Sequence, residues 1–476
     1  MEPDKLAGCE AVELTAALRA GKLSASDVMR ATLDRIATVN PEVNAIVALR
    51  DEDSLMDEAQ RADKAESRGP LHGLPIAVKD LVNVRGIAST QGSPLFADTV
   101  PTEDDILAAR LRSAGAILIG KTNTPEFGLG SHTFNPLYGA TRNPYGAGRS
   151  CGGSSGGAAV ALATGMLALA DGSDMMGSLR NPAGWNNVYG FRPSWGLVPT
   201  EPHGDTFLHQ LATLGPMARS PADLGLLLDV ISGPDPRQPH GMITKPVSPV
   251  SPADLEGLHI GWLGDWGGAF PMEDNILSLS EGALAEFESL GARVETLAPP
   301  FDAHAMWDSW TTLRSWSVAT GLAPLAEHRE LLKDSAQWEL DRGLAFSAMD
   351  IHRASVIRSD WFKTAAKLFE RFDALVLPSA QVWPFDVDRH WPTEIAGQGM
   401  DTYHRWMQVV VPVSLIGLPC LAIPAGFGPQ GLPLGLQLFG RRGSDAQLLG
   451  IGAAYHARTG WPQKRPALRE MEATDG

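Results

Sequence analysis

Residues 151–157 read CGGSSGG, two adjacent serines in a strip of glycine. Such a strip can wrap phosphate oxygens in backbone N–H groups, present a nucleophile, or simply turn a corner. GGSSG (152–156) satisfies GxSxG, the nucleophile elbow of α/β-hydrolases, which needs a strand directly before it. The preceding NPYGAGRSC reads as loop, which speaks against an elbow. GAILIGKT (115–122) satisfies the P-loop pattern GxxxxGK[ST]. Its four intervening residues, Ala-Ile-Leu-Ile, are strand material rather than an amide-rich loop, so neither phosphate nor magnesium binding is expected there. GSDMMGSLR (172–180) is a second Gly-Ser turn, and PIAVKD (75–80) puts Lys79 at the end of an apolar run. Taken alone, Lys79 would be an ordinary lysine at a strand end.

The stretch RSCGGSSGGAAVALATGMLALADGSDMMGSLRNPAG (149–184) joins the serine strip, a helix and the second turn. With LHGLPIAVKDLVNVRGIASTQGS, RLRSAGAILIGKTNTPEFGLGSHTFNP, LGPMARSPADLGLLLDVISGPDPR and GLPCLAIPAGFGPQGLPLGLQLFG, it resembles the amidase signature family. The resemblance covers 71–239 and 412–440 well and 240–411 only by default. It implies a Ser-cisSer-Lys triad: Lys79 as the base, Ser154 as the relay preceded by a cis peptide, and Ser178 as the nucleophile. It also implies an oxyanion hole built from the backbone amides of Met175, Met176, Gly177 and Ser178. Ser155, Asp174, Arg180 and Asn123 would support the site, with Asp174 and Arg180 paired across the turn.

The implied chemistry is physically coherent. A serine hydroxyl is a weak nucleophile until a base takes its proton. Lysine can be that base only when neutral, so burial must lower its pKa. Backbone donors then stabilise the charge that develops in the tetrahedral transition state. One departure stands out. The family's common turn is G-T-D-[TI]-G-G-S, whereas this chain has GSDMMGS, with Met176 in place of a glycine. Met176 is expected at the pocket wall, and Met175 is expected to fill core. The histidines His72, His132 and His203 lack metal-ligand spacing and are read as structural; neither metal nor cofactor is implied.

The elements that must position these residues follow from periodicity. Residues 23–40 and 53–68 read as amphipathic helices, the first capped by Ser26 and followed by Pro41, with AIVAL (45–49) a short strand between them. LPIAVKD (74–80) and AILIGK (116–121) read as strands around a helix over 102–115 with an acidic first turn. AAVALATGMLALA (158–170) reads as a buried helix, too short for a membrane span. Further on, LHIGWLG, ALVLPSA and PCLAIPAG read as strands, 273–297 as helix then strand, and 301–372 as mostly helical. This is α/β grammar. The family fold it resembles is a central mixed β-sheet sandwiched by α-helices. One domain over 1–476 is expected: an N-terminal helical segment over 1–70, a catalytic core over 71–239, a divergent substrate-shaping region over 240–411 and a C-terminal core segment over 412–476.

Composition excludes several partners. The net charge of −16, with no Lys/Arg-rich block, gives no support to nucleic-acid or anionic-membrane binding. Cys9, Cys151 and Cys420 are scattered and form no CxxC pair, which fits a reducing compartment. The opening MEPDKLAGCEAVEL has no basic or apolar signal region, so a cytoplasmic location is expected. A homodimer is left open. Ten of the thirteen tryptophans fall in the divergent region, and some of eight of them (Trp307, Trp310, Trp316, Trp338, Trp361, Trp383, Trp391 and Trp406) are expected to line a pocket for a flat group. The expected activity is hydrolysis of a small amide, with an aryl amide, anilide or aryl urea favoured. The alternatives are a glutaminase-type A subunit of an aminoacyl-tRNA amidotransferase, and an inactive binding or scaffold homologue.

Overall fold

The computed structural model describes residues 6, 8–66, 69–208 and 211–468. A three-stranded sheet holds β1 (Ile46–Val47), β2 (Pro75–Lys79) and β3 (Ile117–Thr122), in the order β1-β3-β2. The larger sheet holds β4 (Leu169–Asp174), β5 (Tyr189–Arg192), β6 (Thr213–Ala218), β7 (His259–Trp262), β8 (Arg293–Thr296), β9 (Ala374–Pro378), β10 (Cys420–Phe427) and β11 (Pro433–Phe439). Its order is β8-β7-β9-β11-β10-β5-β6-β4. It is mixed: β7 runs parallel to β8 and β9, and the remaining pairs are antiparallel. Every residue of β9 and β11 is buried, which is why ALVLP and PLGLQLF read as apolar runs rather than alternating ones. Helices flank the sheets, so the chain has the expected α/β architecture.

Two features of this arrangement position the site. The edge strand β4 carries Asp171, Ser173 and Asp174, and β2 ends against it at Lys79. The Lys79 backbone N–H donates to Asp171 Oδ1 at 3.0 Å, tying the small sheet to the edge of the large one. The P-loop look-alike is β3, as its composition demanded. The Lys121 side chain is fully buried, donates to the Val82 carbonyl, and lies 3.7 Å from Asp80 Oδ1.

Several element boundaries differ from expectation, each for a local reason. The first long helix is Ala25–Val43, capped by Ser24, whose Oγ accepts the Asp27 N–H. Ser26 Oγ instead donates to Asp63. Pro41 falls inside the last turn, and the helix ends at Asn44 with a left-handed φ of 52°. The next helix, Glu52–Asp63, is shorter than 53–68, and Ser67 and Arg68 lie outside the described residues. The helix expected over 102–115 is Ile106–Ser113, because the Asp104 carboxylate is used outside it by Arg85 N–H and Arg112. The apolar run 158–170 divides into a helix, Gly156–Ala163, and the start of β4, with Gly165 at φ 76° between them. Among the described residues no helix is long and apolar enough to cross a membrane.

Candidate active site

Lys79 ends a strand buried along its whole length and is itself only 1% exposed. Its Nζ donates to Ser154 Oγ at 2.8 Å, Ser155 Oγ at 2.8 Å and Ser173 Oγ at 3.0 Å. Among the described residues no carboxylate pairs with it directly. Burial therefore dominates and lowers its pKa to about 7, against the opposing pull of Asp171 and Asp174. Asp171 is also fully buried, and burial pushes its carboxyl up to about 6. Its Oδ2 has no hydrogen-bond partner among the described residues.

The serine strip follows Gly152, whose φ is 78°, and the Gly153–Ser154 peptide is cis. The Gly153 carbonyl accepts from Ser131 Oγ, and the Gly152 carbonyl from Thr133. A Cβ on Gly156 would lie 2.2 Å from Thr133 Oγ1, so this close approach requires glycine. Ser155 is more than a neighbour, because it shares Lys79 Nζ with Ser154. The segment expected as loop before the strip contains a strand, Gly146–Ser150, but in a two-stranded ribbon rather than the central sheet. An elbow still lacks its supporting sheet.

The turn after β4 is organised by Asp174. Its carboxylate accepts from Gly177 N–H at 2.9 Å, Leu179 N–H at 3.1 Å, Arg180 Nε at 2.9 Å and Arg192 Nη1 at 3.0 Å. Burial alone would raise this carboxyl, yet Arg180 and Arg192 beside it hold it well below the usual carboxylate range. Arg180 also donates to Ser414 Oγ, Gln437 Oε1 and the Val410 carbonyl, clamping the turn to the C-terminal region of the chain. This geometry corrects the expected oxyanion set. The Gly177 N–H is committed to Asp174, which leaves Met175, Met176 and Ser178. Their amides have no hydrogen-bond partner among the described residues.

Ser178 and Ser154 open onto one cavity of about 500 Å³. Ser173, Met175 and Met176 share that wall, and Leu81, Phe96 and Phe127 also line it. The helix Ala303–Leu322 contributes Arg314, Ser317, Val318 and Leu322. None of the eight tryptophans lines it, contrary to expectation; Trp310, Trp361 and Trp406 instead pack in the hydrophobic core. The aromatic lining comes from Phe96 and Phe127, edge to face at 6.4 Å. Met175, expected as filler, faces the cavity. Asn123 makes no hydrogen bond to Lys79, Ser154 or Ser178. It bonds Asn135, Thr141 and Gly139, and its carbonyl takes the Gly157 N–H, bracing the helix after the strip. Sequence reasoning missed Ser173, Asp171 and Arg192. The first two were findable, since alternate residues on β4 share one face.

The chain is similar to known proteins over nearly its whole length. The Amidase family model matches residues 27–449. An acylamidase of Rhodococcus erythropolis is 33% identical, covering 98% of this chain and 99% of that protein. The A subunit of a glutamyl-tRNA(Gln) amidotransferase from Thermosynechococcus vestitus is 32% identical over 94% of this chain and 97% of its own. Among solved structures, a bacterial aryl acylamidase of the amidase signature family superposes with a TM-score of 0.91 at 28% identity, covering 97% of this chain and 99% of its own. The chain belongs to the amidase signature family and is a hydrolase of C–N amide bonds.

Proposed function

We propose that this enzyme hydrolyses small aryl amides through an acyl-Ser178 intermediate. The observation that carries the reading is a buried lysine held by serine hydroxyls at one wall of an otherwise largely apolar cavity. Neutral Lys79 takes the Ser178 proton by way of Ser154 as Ser178 Oγ attacks the carbonyl carbon. The amides of Met175, Met176 and Ser178 face the oxyanion that forms. The proton returns along the same path to the leaving amine, and water then cleaves the acyl ester by the reverse steps. Ser155 and Ser173 keep the amine of Lys79 oriented. The likeness to an acylamidase and an aryl acylamidase supports the substrate class. The same reading includes action in the cytoplasm without a nucleic-acid or membrane partner, and leaves a homodimer open.

The cavity favours this reading over a glutaminase subunit. Free glutamine brings an ammonium and a carboxylate, each needing an opposite charge once desolvated. Among the described residues the lining has no carboxylate, and its one charged side chain, Arg314, is already paired with Glu339. A panel of amides, anilides, ureas, hydrazides, esters and glutamine, read by mass spectrometry, tests the proposal. Acetanilide should be cleaved to aniline and acetate by the chain alone. Ammonia release from glutamine with no anilide turnover would refute it.

Met176 gives a second test. Its side chain is 4% exposed and lines the cavity where the family's common turn has glycine. Burying a methionine side chain is worth about 1.5–3 kcal/mol, and its sulfur packs well on rings. Met176→Gly keeps every backbone donor, so kcat for acetanilide should hold while KM rises roughly ten-fold. A branched-acyl amide should gain relative to the aryl one. Equal kcat/KM ratios in both forms would show that Met176 does not touch substrate.

A further inference from the structure

Among the described residues, Arg314 is the only charged side chain lining the cavity, and it is 3% exposed. Its Nε donates to Glu339 Oε1 at 2.8 Å and its Nη2 to Tyr403 Oη at 2.8 Å. Glu339, fully buried, is completed by Tyr403 Oη at 2.7 Å and Ser315 Oγ at 2.6 Å. The third nitrogen is different. Nη1 meets only the Met175 thioether, at 3.2 Å, among the described residues. A thioether is a weak acceptor, and a guanidinium carries five N–H donors. Strong donor capacity is therefore left beside Met175, which itself lines the cavity. A buried donor so poorly matched gains from any better acceptor that reaches it.

The charge balance restricts that acceptor. Arg314 is already neutralised by Glu339. Nearby Lys333 bonds the Leu129 carbonyl, and its backbone N–H reaches Glu126. An added carboxylate would bring a second buried negative charge beside Glu339 and would have to share the Arg314 guanidinium with it. A neutral oxygen, such as an ether, ketone or amide carbonyl, carries no such penalty.

Resting on the aryl-amide reading above, we propose that Arg314 Nη1 is a specificity determinant that recognises a neutral hydrogen-bond acceptor on the substrate, away from the scissile bond. The preferred substrates are thus aryl amides with an uncharged oxygen at the far end of the ring or acyl group. Met175 Sδ occupies that position when no such oxygen is present.

The test uses three acetanilides whose para substituents are insulated from the ring by a methylene: methoxymethyl, propyl and carboxymethyl. The first two match in shape and electronic effect and differ only in the ether oxygen. Their Kd values are measured by calorimetry on the Ser178→Ala protein, so that binding is read without turnover. Cleavage of unsubstituted acetanilide by the unaltered enzyme separately judges the proposed function. The methoxymethyl compound should bind about ten-fold tighter than the propyl one, and the carboxymethyl compound weakest. In the background Arg314→Met with Glu339→Gln, which removes both charges together, the preference should vanish. Equal binding of ether and propyl, tightest binding of the carboxylate, or a preference that survives in a folded double variant would each overturn the proposal. Met175→Leu leaves the ion pair intact and decides the matter if the double variant does not fold. Freed of its thioether, Nη1 should widen the ether preference two- to three-fold, and an unchanged preference would overturn the assignment.

Discussion

Replacing Ser178 by alanine is expected to lower amide turnover by at least about 10⁴-fold, the scale seen when a serine nucleophile is removed from a hydrolase. Covalent labelling by a fluorophosphonate should disappear with it. The labelled peptide from the unaltered enzyme should carry its adduct on Ser178. Three other serines make this prediction specific. Ser154, Ser155 and Ser173 all sit within 3.0 Å of Lys79 Nζ, so any of them is close to a base. What separates Ser178 is its place after the amides of Met175 and Met176, which have no hydrogen-bond partner among the described residues, so that an attacking oxygen and an oxyanion can share one carbonyl. Ser154→Ala should cost roughly 10²–10⁴-fold, the range for positioned proton transfer, and should still label slowly. Ser155→Ala removes one of three acceptors from Lys79 and should cost less. Labelling that persists in Ser178→Ala, or a loss in Ser155→Ala as complete as in Ser178→Ala, would sink this assignment.

The sequence carried the site further than it carried the pocket, and the reason is the range of the interactions involved. Lys79 at the end of PIAVK and the strand character of AILI depend on local pattern, and both were readable. So was the importance of the GSDMMGS turn. The commitment of Gly177 N–H to Asp174 was not. It depends on which way one carboxylate turns, and that is set by Arg192 from another strand. The tryptophans failed as a signal for a related reason. Composition marks a tryptophan as large and apolar, but whether it faces a cavity or fills the core is decided by helix packing. Phe96 and Phe127, from short irregular segments, supply the aromatic wall instead. Arg314 lies on a helix with tryptophans at 307, 310 and 316, and nothing in that pattern distinguishes a buried, paired arginine from an exposed one.

Lys79 should give the activity its pH dependence, and the sign follows from which form is needed. In the proposed mechanism the amine is the base, so kcat/KM rises as Lys79 loses its proton. With the pKa brought down by burial to about 7, the rising limb should be centred near pH 7, far below the range of an exposed lysine. Lys79→Ala should lower kcat/KM by roughly 10²–10⁴-fold and abolish that limb. A structural role alone would lower activity without changing the shape of the profile. Asp171 offers a gentler probe of the same group. It receives the Lys79 backbone N–H and, when ionised, favours the ammonium form. Asp171→Asn keeps an oxygen for that bond but removes the charge. Desolvation is then less opposed, the amine holds its proton more weakly, and the limb should move to lower pH. The three serines that orient Lys79 are untouched, so activity on the high-pH plateau should change far less than the midpoint. A midpoint that stays in place or moves upward in Asp171→Asn would mean that the limb belongs to another group. The proton would then have to leave Ser178 by a route that does not end at Lys79.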